Sequence, residues 1–465
     1  MKVIKVLPFI GLSLLCLSFK SVSDKPKEDK KPNIVLILAD DMGFGDLGIT
    51  GSTEIKTPNI DALGEKGVFF NQGYVSSPVC SPSRAGLLTG RNQVTFGYDN
   101  NLPKNLSYTD GLPTEIKTIP EYLKPLGYTS GIIGKWHLGD GEEHHPKNRF
   151  DEYWSFPYGG HNYFKNGKAT KKAQKAYASA LESNYKTPQE ITYLTDDIGD
   201  ECADFIKRHK DEPFFLYASF NAPHAPLQAL EEDIALYEHI KDPKRRTYAA
   251  MVHRLDLNVA KIIAMLEEHN LDENTIIVFL SDNGGPIGNG SLNAPYSGKK
   301  GTLLEGGIHV PFMMKWSKHI PENIRYEQTI SSLDLAATFI TAAGGKVNDV
   351  LDGVDLVPYV KGENKETPHQ QMTWKFTVSR SIRDGNWKLV TIPNHLPMLF
   401  DLSTDVSEQN DLLFKEKEKA EKMIKQLGNW EVALPNPSYF EENKYKALQQ
   451  KDYYKKYQLK QPSTL

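Results

Sequence analysis

The sequence predicts an α/β layer fold, a mainly parallel sheet flanked by helices. Three observations predict it. Four short runs are mostly apolar on both faces, as strands buried inside a parallel sheet are. Helical patterns lie between them, which is the alternation of a layered α/β domain. Each run also ends on polar residues, and in such sheets ligands gather outside the carboxyl ends of the strands.

In chain order the N-terminus comes first. "MKVIKVLPFIGLSLLCLSF" has two lysines and then an apolar core, followed by the small residues Ser21 and Ser23. This is the pattern of a secretory signal cleaved after Ser23. A buried helix is the other reading, but the polar tether "SDKPKEDKKP" behind it does not continue a core helix. Cys16 raises lipid attachment as a variant of export, which the bulky Leu15 disfavours. A periplasmic or secreted location is the expectation.

The first sheet run, "NIVLILADD", stops on Asp40 and Asp41, and the helical "PNIDALGEKG" follows. "CSPSRAGLLTGR" sets Cys80 ahead of a helix expected to begin near Ser81–Ser83, with Arg84 inside it. "TSGIIGKWHLG" stops on Lys135 and His137. "YWSFPYGGHNYF" gathers aromatic rings that either stack on sugars or pack a long loop. In "DDIGDECADFIKRH", Ile198, Cys202 and Ile206 share one helical face, so Cys202 reads as a small core hydrophobe. "PFFLYASFNAPHAP" ends near His224, the helical "AAMVHRLDLNVAKIIAMLEEH" follows, and "TIIVFLSDNGG" ends on Asp282 and Asn283. Beyond about residue 365, "SRSIRDGNWKLVTIP" and "HLPMLFDLSTDVSEQNDL" read as amphipathic antiparallel strands. The tail "YKALQQKDYYKKYQLKQPSTL" reads as a surface extension.

Taken singly, each polar ending has a plainer reading. An Asp after a strand is often a helix cap or turn former. Lys135 fits a solvated charge, and His224 between prolines fits a rigid loop. Together they have a chemical logic. Asp40, Asp41, Asp282 and Asn283 offer only oxygen, which suits a hard cation, calcium or magnesium. Lys135, His137, His224, Arg84 and a lysine of "GKKGTLLEGG" add positive charge and proton donors. A hard cation among cationic side chains suits an oxyanion substrate, a sulfate or a phosphate. Cys80 stays open at this stage, as a disulfide partner of Cys202 or as a thiolate at a helix N-terminus.

"CSPSRAGLLTGR" resembles the signature of the type I sulfatases, Cys (or Ser)-x-Pro-x-Arg followed by x-x-x-Leu-Thr-Gly-Arg. It matches at Cys80, Pro82, Arg84, Leu88, Thr89, Gly90 and Arg91. "PNIVLILADDMGFGDLG", "GKWHLG", "PHAP", "SDNGG" and "KKGTLLEGG" follow in family order, so the resemblance spans about residues 32 to 415. It implies an alkaline-phosphatase-like fold with a smaller C-terminal α+β subdomain, and hydrolysis of sulfate esters. The implied organisation is a signal at 1–23, a catalytic domain at 24–364, and a subdomain with tail at 365–465. The helix "KEKEKAEKMIKQLGNWEVA" is expected on that subdomain's sheet.

The resemblance also assigns roles. Cys80 would be oxidised to Cα-formylglycine by a maturation enzyme. Asp40, Asp41, Asp282 and Asn283 would bind calcium, with residue 80 completing the site. Arg84 would steady the formylglycine hydrate, with Lys135 and His137 beside it. His224 and Lys300 would grip the sulfate and assist the leaving oxygen. Lys300, rather than Lys299, directly precedes the glycine of "KGT". His309 stands where relatives more often have arginine. The implied chemistry is attack by a hydrate hydroxyl on sulfur, a sulfated enzyme, then loss of sulfate as the aldehyde returns.

Composition bounds the rest. The 465 residues are 39% hydrophobic and 25% charged, with a formal net charge of -4, as in an ordinary globular protein. That balance argues against a nucleic-acid partner. No run in the body reaches the roughly 18 apolar residues of a membrane span. The remaining rivals are a phosphate-ester or phosphonate hydrolase on the same fold and a non-enzymatic carbohydrate binder. The expected substrate is a sulfated saccharide, an algal polysaccharide or a glycosaminoglycan fragment.

Overall fold

Nine strands form the central sheet of the computed structural model, which describes Met1, Val3, residues 30–102, 110–165, 181–188, 190–438 and Lys456. In chain order the strands are β1 (Asn33–Ala39), β2 (Val68–Phe70), β3 (Gly73–Tyr74), β4 (Thr129–Lys135) and β5 (Glu152–Phe156). They continue with β6 (Glu182–Ser183), β7 (Phe214–Ser219), β8 (Thr275–Ser281), β9 (Phe312–Lys315), β10 (Ile324–Tyr326) and β11 (Ile330–Ser331). The last four are β12 (Gln371–Phe376), β13 (Ser379–Asp384), β14 (Trp387–Thr391) and β15 (Met398–Asp401). The central order is β10-β2-β9-β8-β1-β7-β4-β5-β6, while β3 and β11 pair separately. β1 runs parallel to β7 and β8, and β4 runs parallel to β7 and β5. β9 and β6 are antiparallel to their neighbours.

Side-chain alternation along β1 builds two cores. Val35, Ile37 and Ala39 face the helices Pro58–Glu65, Leu194–His209 and Pro243–Glu268. Ile34, Leu36 and Leu38 face the helices Cys80–Thr89, Ile119–Leu123 and Asp334–Ala342. Every residue of β1, β7 and β8 is buried. That is why these strands read as continuous apolar runs rather than alternating ones. Cys202 is fully buried with Ile198 and Ile206 in the first core, and both Cys80 and Cys202 are free thiols, so the disulfide reading fails.

β12 to β15 form an antiparallel meander. Ile382, Leu389 and Leu399 on one face pack against Ala420, Met423 and Leu427 of the helix Lys417–Glu431. On the other face Trp374 and Phe376 pack with Tyr74, Val79, Leu303 and Ile308. The meander thus shares a core with the segment around residues 299–309. Residues 31–465 form one compact unit, and Met1–Lys30 form another. Except for Met1 and Val3, the expected signal at 1–23 lies outside the described residues, as does the tail except for Lys456. No described helix is long and apolar enough to cross a membrane.

Candidate active site

β1, β4, β7 and β8 deliver their polar ends to one edge of the sheet. β1 ends ahead of Asp40 and Asp41, β4 ends on Lys135, β7 leads to His224, and β8 leads to Asp282 and Asn283. Asp41 and His137 both take positive φ, 67° and 59°. Left-handed backbone is uncommon for residues other than glycine and is concentrated at functional sites. The helix Cys80–Thr89 begins at this edge. The Ser81 amide donates to Asn101 Oδ1 at 3.0 Å, and Ser81 Oγ donates to the His137 carbonyl at 2.7 Å.

Cys80 sits at the centre, with 1% of its surface exposed. Its Sγ lies 3.4 Å from Asp40 Oδ1, 3.8 Å from Asp41 Oδ1 and 3.0 Å from Lys300 Nζ. Burial pushes its thiol pKa up, and Asp282 and Asp40 add to the shift. A thiolate is therefore disfavoured there.

The charges around Cys80 interlock. Lys135 Nζ is 2.5 Å from Asp40 Oδ2, and Lys300 Nζ is 2.7 Å from Asp41 Oδ1. Arg84 Nε pairs with Asp282 Oδ2 at 2.9 Å, and its NH1 donates to Ser219 Oγ at 2.6 Å and to the Lys135 carbonyl at 3.3 Å. Asp40, Asp41 and Asp282 thus face Arg84, Lys135 and Lys300, three charges against three. Burial raises the Asp41 carboxyl, but Lys300 and His224 outweigh it and hold it below the usual carboxylate range. Asp282 is pushed up to about 6 by burial and by Asp40.

The histidines stand at the rim. His224 Nε2 is 3.6 Å from Asp41 Oδ2, and its Nδ1 donates to the Ala225 carbonyl at 2.5 Å. Burial drives its pKa down to about 3, with Lys300 and Lys135 pressing the same way. Burial also lowers His137, with Lys135 and Arg84 behind it. No described bond ties the His137 ring to the other site residues, and its Nδ1 is buried without a hydrogen-bond partner. The other nine sequence-predicted residues join one contact network.

The donor set fits a hard cation. Ligand atoms of Asp40, Asp41, Cys80 and Asp282 all lie within 4.8 Å of one another. Asn283 donates from Nδ2 to Asp41 Oδ1 at 2.7 Å, yet its own Oδ1 is buried without a hydrogen-bond partner. A buried unpartnered acceptor beside three carboxylates suits calcium or magnesium.

Lys300 reaches the site from a loop that is pinned throughout. The Lys300 amide donates to the Gly285 carbonyl at 3.3 Å, and the Gly301 amide donates to the Pro78 carbonyl at 2.8 Å. Further along, Glu305 lies 2.7 Å from Lys388 Nζ, and the Glu305 amide donates to Glu408 Oε2 at 2.8 Å. His309 stacks on Tyr296 with ring centroids 4.1 Å apart, and its nitrogens face Glu305 and the Asn71 carbonyl. It is a packing residue outside the catalytic contacts. Sequence reasoning missed Ser219, which ties Arg84 to the Lys135 carbonyl, and Asn101, which holds Ser81. Ser219 carried a signal, as the last residue of a strand aimed at the same edge.

Comparison with known proteins places this geometry in a family. The sulfatase family model matches residues 32–345, and the C-terminal model of N-sulphoglucosamine sulphohydrolase matches residues 298–432. The N-acetylgalactosamine-6-sulfatase of Canis lupus familiaris is 36% identical over 353 residues, which are 71% of this chain and 66% of that protein. The Homo sapiens enzyme of the same name is 32% identical over 446 residues, 84% of this chain and 83% of that protein. Among solved structures, Ps i-CgsB in complex with k-i-k-neocarrahexaose aligns with a TM-score of 0.84 at 39% identity, covering 91% of this chain and 98% of that one.

Proposed function

The chain belongs to the sulfatase family and is a sulfuric ester hydrolase, and we propose that its substrate is an O-sulfated saccharide of the galactan or glycosaminoglycan class. The observation that carries the reading is the packing of Lys300, Asp40 and Asp41 around Cys80 at one strand edge. Two likenesses support the substrate class, one to N-acetylgalactosamine-6-sulfatases and one to a protein solved with k-i-k-neocarrahexaose.

The proposal includes formylglycine at residue 80, made by a maturation enzyme acting on the signature from Cys80 to Arg84, and export through the N-terminal signal. It also includes a calcium ion held by Asp40, Asp41, Asp282, Asn283 and residue 80. When bound, these two groups supply an acidified hydroxyl nucleophile and a positive charge for the sulfuryl oxygens.

The chain's own residues do the rest. The three cations balance the three carboxylates, so a divalent ion would leave the site net positive toward an anionic ester. Lys135, fixed by Asp40, and Lys300, fixed by Asp41, present ammonium groups where negative charge develops. Arg84, locked by Asp282 and Ser219, holds the wall behind residue 80. His224 spends its Nδ1 proton on the Ala225 carbonyl, which leaves Nε2 toward the site. An ester anion arriving there offsets the surrounding cations, and Nε2, taking a proton from solvent, would pass it to the leaving alcohol.

The test is sulfate release from a panel of defined sulfated galactan and glycosaminoglycan oligosaccharides, beside nitrophenyl sulfate and nitrophenyl phosphate. Turnover of a saccharide sulfate well above the phosphate ester is expected. Faster turnover of the phosphate overturns the reaction class. Cleavage of the aryl sulfate with none of the saccharides overturns the substrate class.

A further inference from the structure

We propose that Tyr158, held by Asp140, is a specificity-determining residue that contacts the sugar ring of the substrate and favours saccharide sulfates over small aryl sulfates. This rests on the saccharide reading above. The interior of the site is sealed, with the side chains of Asp40, Arg84 and Lys135 at 0% exposure and Asp41 at 2%. It opens at His137, His224 and Lys300, where exposure rises to 9%, 12% and 18%. An ester therefore enters over these three residues, sulfate first, and its alcohol part stays outside them.

The turn after β5 runs along the turn after β4. The Trp136 amide donates to the Phe156 carbonyl at 3.0 Å, and the His137 amide donates to the Pro157 carbonyl at 3.1 Å. Gly159 lies so close under the His137 ring that a Cβ there would come within 2.8 Å of Cε1 and Nε2. Tyr158, one residue earlier, is therefore set beside the mouth.

The aromatic stretch around it is otherwise mostly core. Trp154, Phe156 and Tyr163 are 3%, 0% and 0% exposed, against 42% for Tyr158. The Tyr158 hydroxyl donates to Asp140 Oδ2 at 2.7 Å, and Asp140 lies three residues past His137. That bond fixes the exposed ring and keeps the phenol protonated. A pyranose has an apolar face rimmed by hydroxyls. The ring supplies the apolar face, and the Asp140 carboxylate keeps lone pairs for a sugar hydroxyl. It also repels a second sulfate at that hydroxyl.

The experiment compares Tyr158→Ala, Tyr158→Phe and Asp140→Asn with wild type, on a sulfated oligosaccharide that wild type cleaves and on nitrophenyl sulfate. In Tyr158→Ala the ratio of saccharide to aryl kcat/KM should fall about tenfold, carried by KM, with a smaller fall in the other two variants. An unchanged ratio, or equal losses on both substrates, overturns the proposal and leaves Tyr158 a support for His137. A wild-type enzyme that cleaves the aryl ester and no saccharide overturns the substrate reading, and this proposal with it.

Discussion

Lys300 holds its ammonium 3.0 Å from the sulfur of Cys80. The adjacent Lys299 stands one place too early for the lysine that directly precedes the glycine of "KGT". Lys300→Ala should therefore lower kcat on nitrophenyl sulfate by about a hundredfold to a thousandfold, the cost of one preorganised charge donor. Lys299→Ala should change it by less than about threefold. Steady-state kinetics on the purified variants decide the point, and comparable losses in the two would reverse the assignment.

Metal removal is the second test. Three buried carboxylates converge on one spot, and Asn283, bonded to Asp41 through Nδ2, keeps a buried Oδ1 without a partner. Treatment with a chelator should abolish turnover, and calcium should restore it. Asp282→Ala should lower bound metal and reduce turnover by about a hundredfold or more. Elemental analysis beside the assay checks both, and full activity in verified metal-free protein contradicts the site.

Residue 80 separates two chemistries. In Cys80→Ser a hydroxyl occupies the same contacts with Asp40, Asp41 and Lys300 and can still attack sulfur. It lacks a second hydroxyl to expel the sulfate, so the ester would wait on slow attack by water. The variant should turn over very poorly yet gain a sulfate adduct in intact mass. Active wild-type protein carrying an unmodified Cys80 thiol would refute the formylglycine reading.

His369 gives a pH test of stability away from the site. Its Nε2 is 2.7 Å from Asp334 Oδ1. Burial lowers the His369 pKa, but Asp334 outweighs burial and leaves it raised. A raised histidine stabilises the fold fully below its unfolded pKa of about 6.5, and this is lost as pH climbs through the higher native value. The stability gap between wild type and His369→Gln should therefore be full below about pH 6.5 and shrink as pH rises above it. Urea unfolding on both sides of that pH measures it, and a gap constant with pH would mean the pair carries no charge.

The parts of this molecule that could be read in advance are those where burial leaves one solution. β1, β7 and β8 are buried on both faces, so their sequences are apolar throughout and their polar ends stand out. Strand order and the reversal at β9 left no such trace, because the three-residue β2 and four-residue β9 are too short to show a period. Asp40, Asp41, Lys135, Asp282 and Asn283 were legible as strand ends. Lys300 lies on a loop and was identified only through the resemblance. The aromatic stretch from Tyr153 to Phe164 held two patterns at once, since Trp154 and Phe156 pack inward on β5 while Tyr158 stands past its end. β12 escaped notice because its inward face meets Tyr74 and Val79, a partner from far along the chain.

The bond between Glu305 and Lys388 spans 83 residues. Glu305 is 2% exposed and ends the loop that carries Lys300, while Lys388 is a fully buried lysine of β14. A carboxylate buried without its counter-ion is costly, so Lys388 adds to the ties that Tyr74 and His309 give Glu305 at the end of this loop. Residues 32–345, which the sulfatase family model matches, hold every reactive group, while Lys388 lies beyond them. The meander thus supports from behind a site in which none of its residues touches Cys80 among the described contacts.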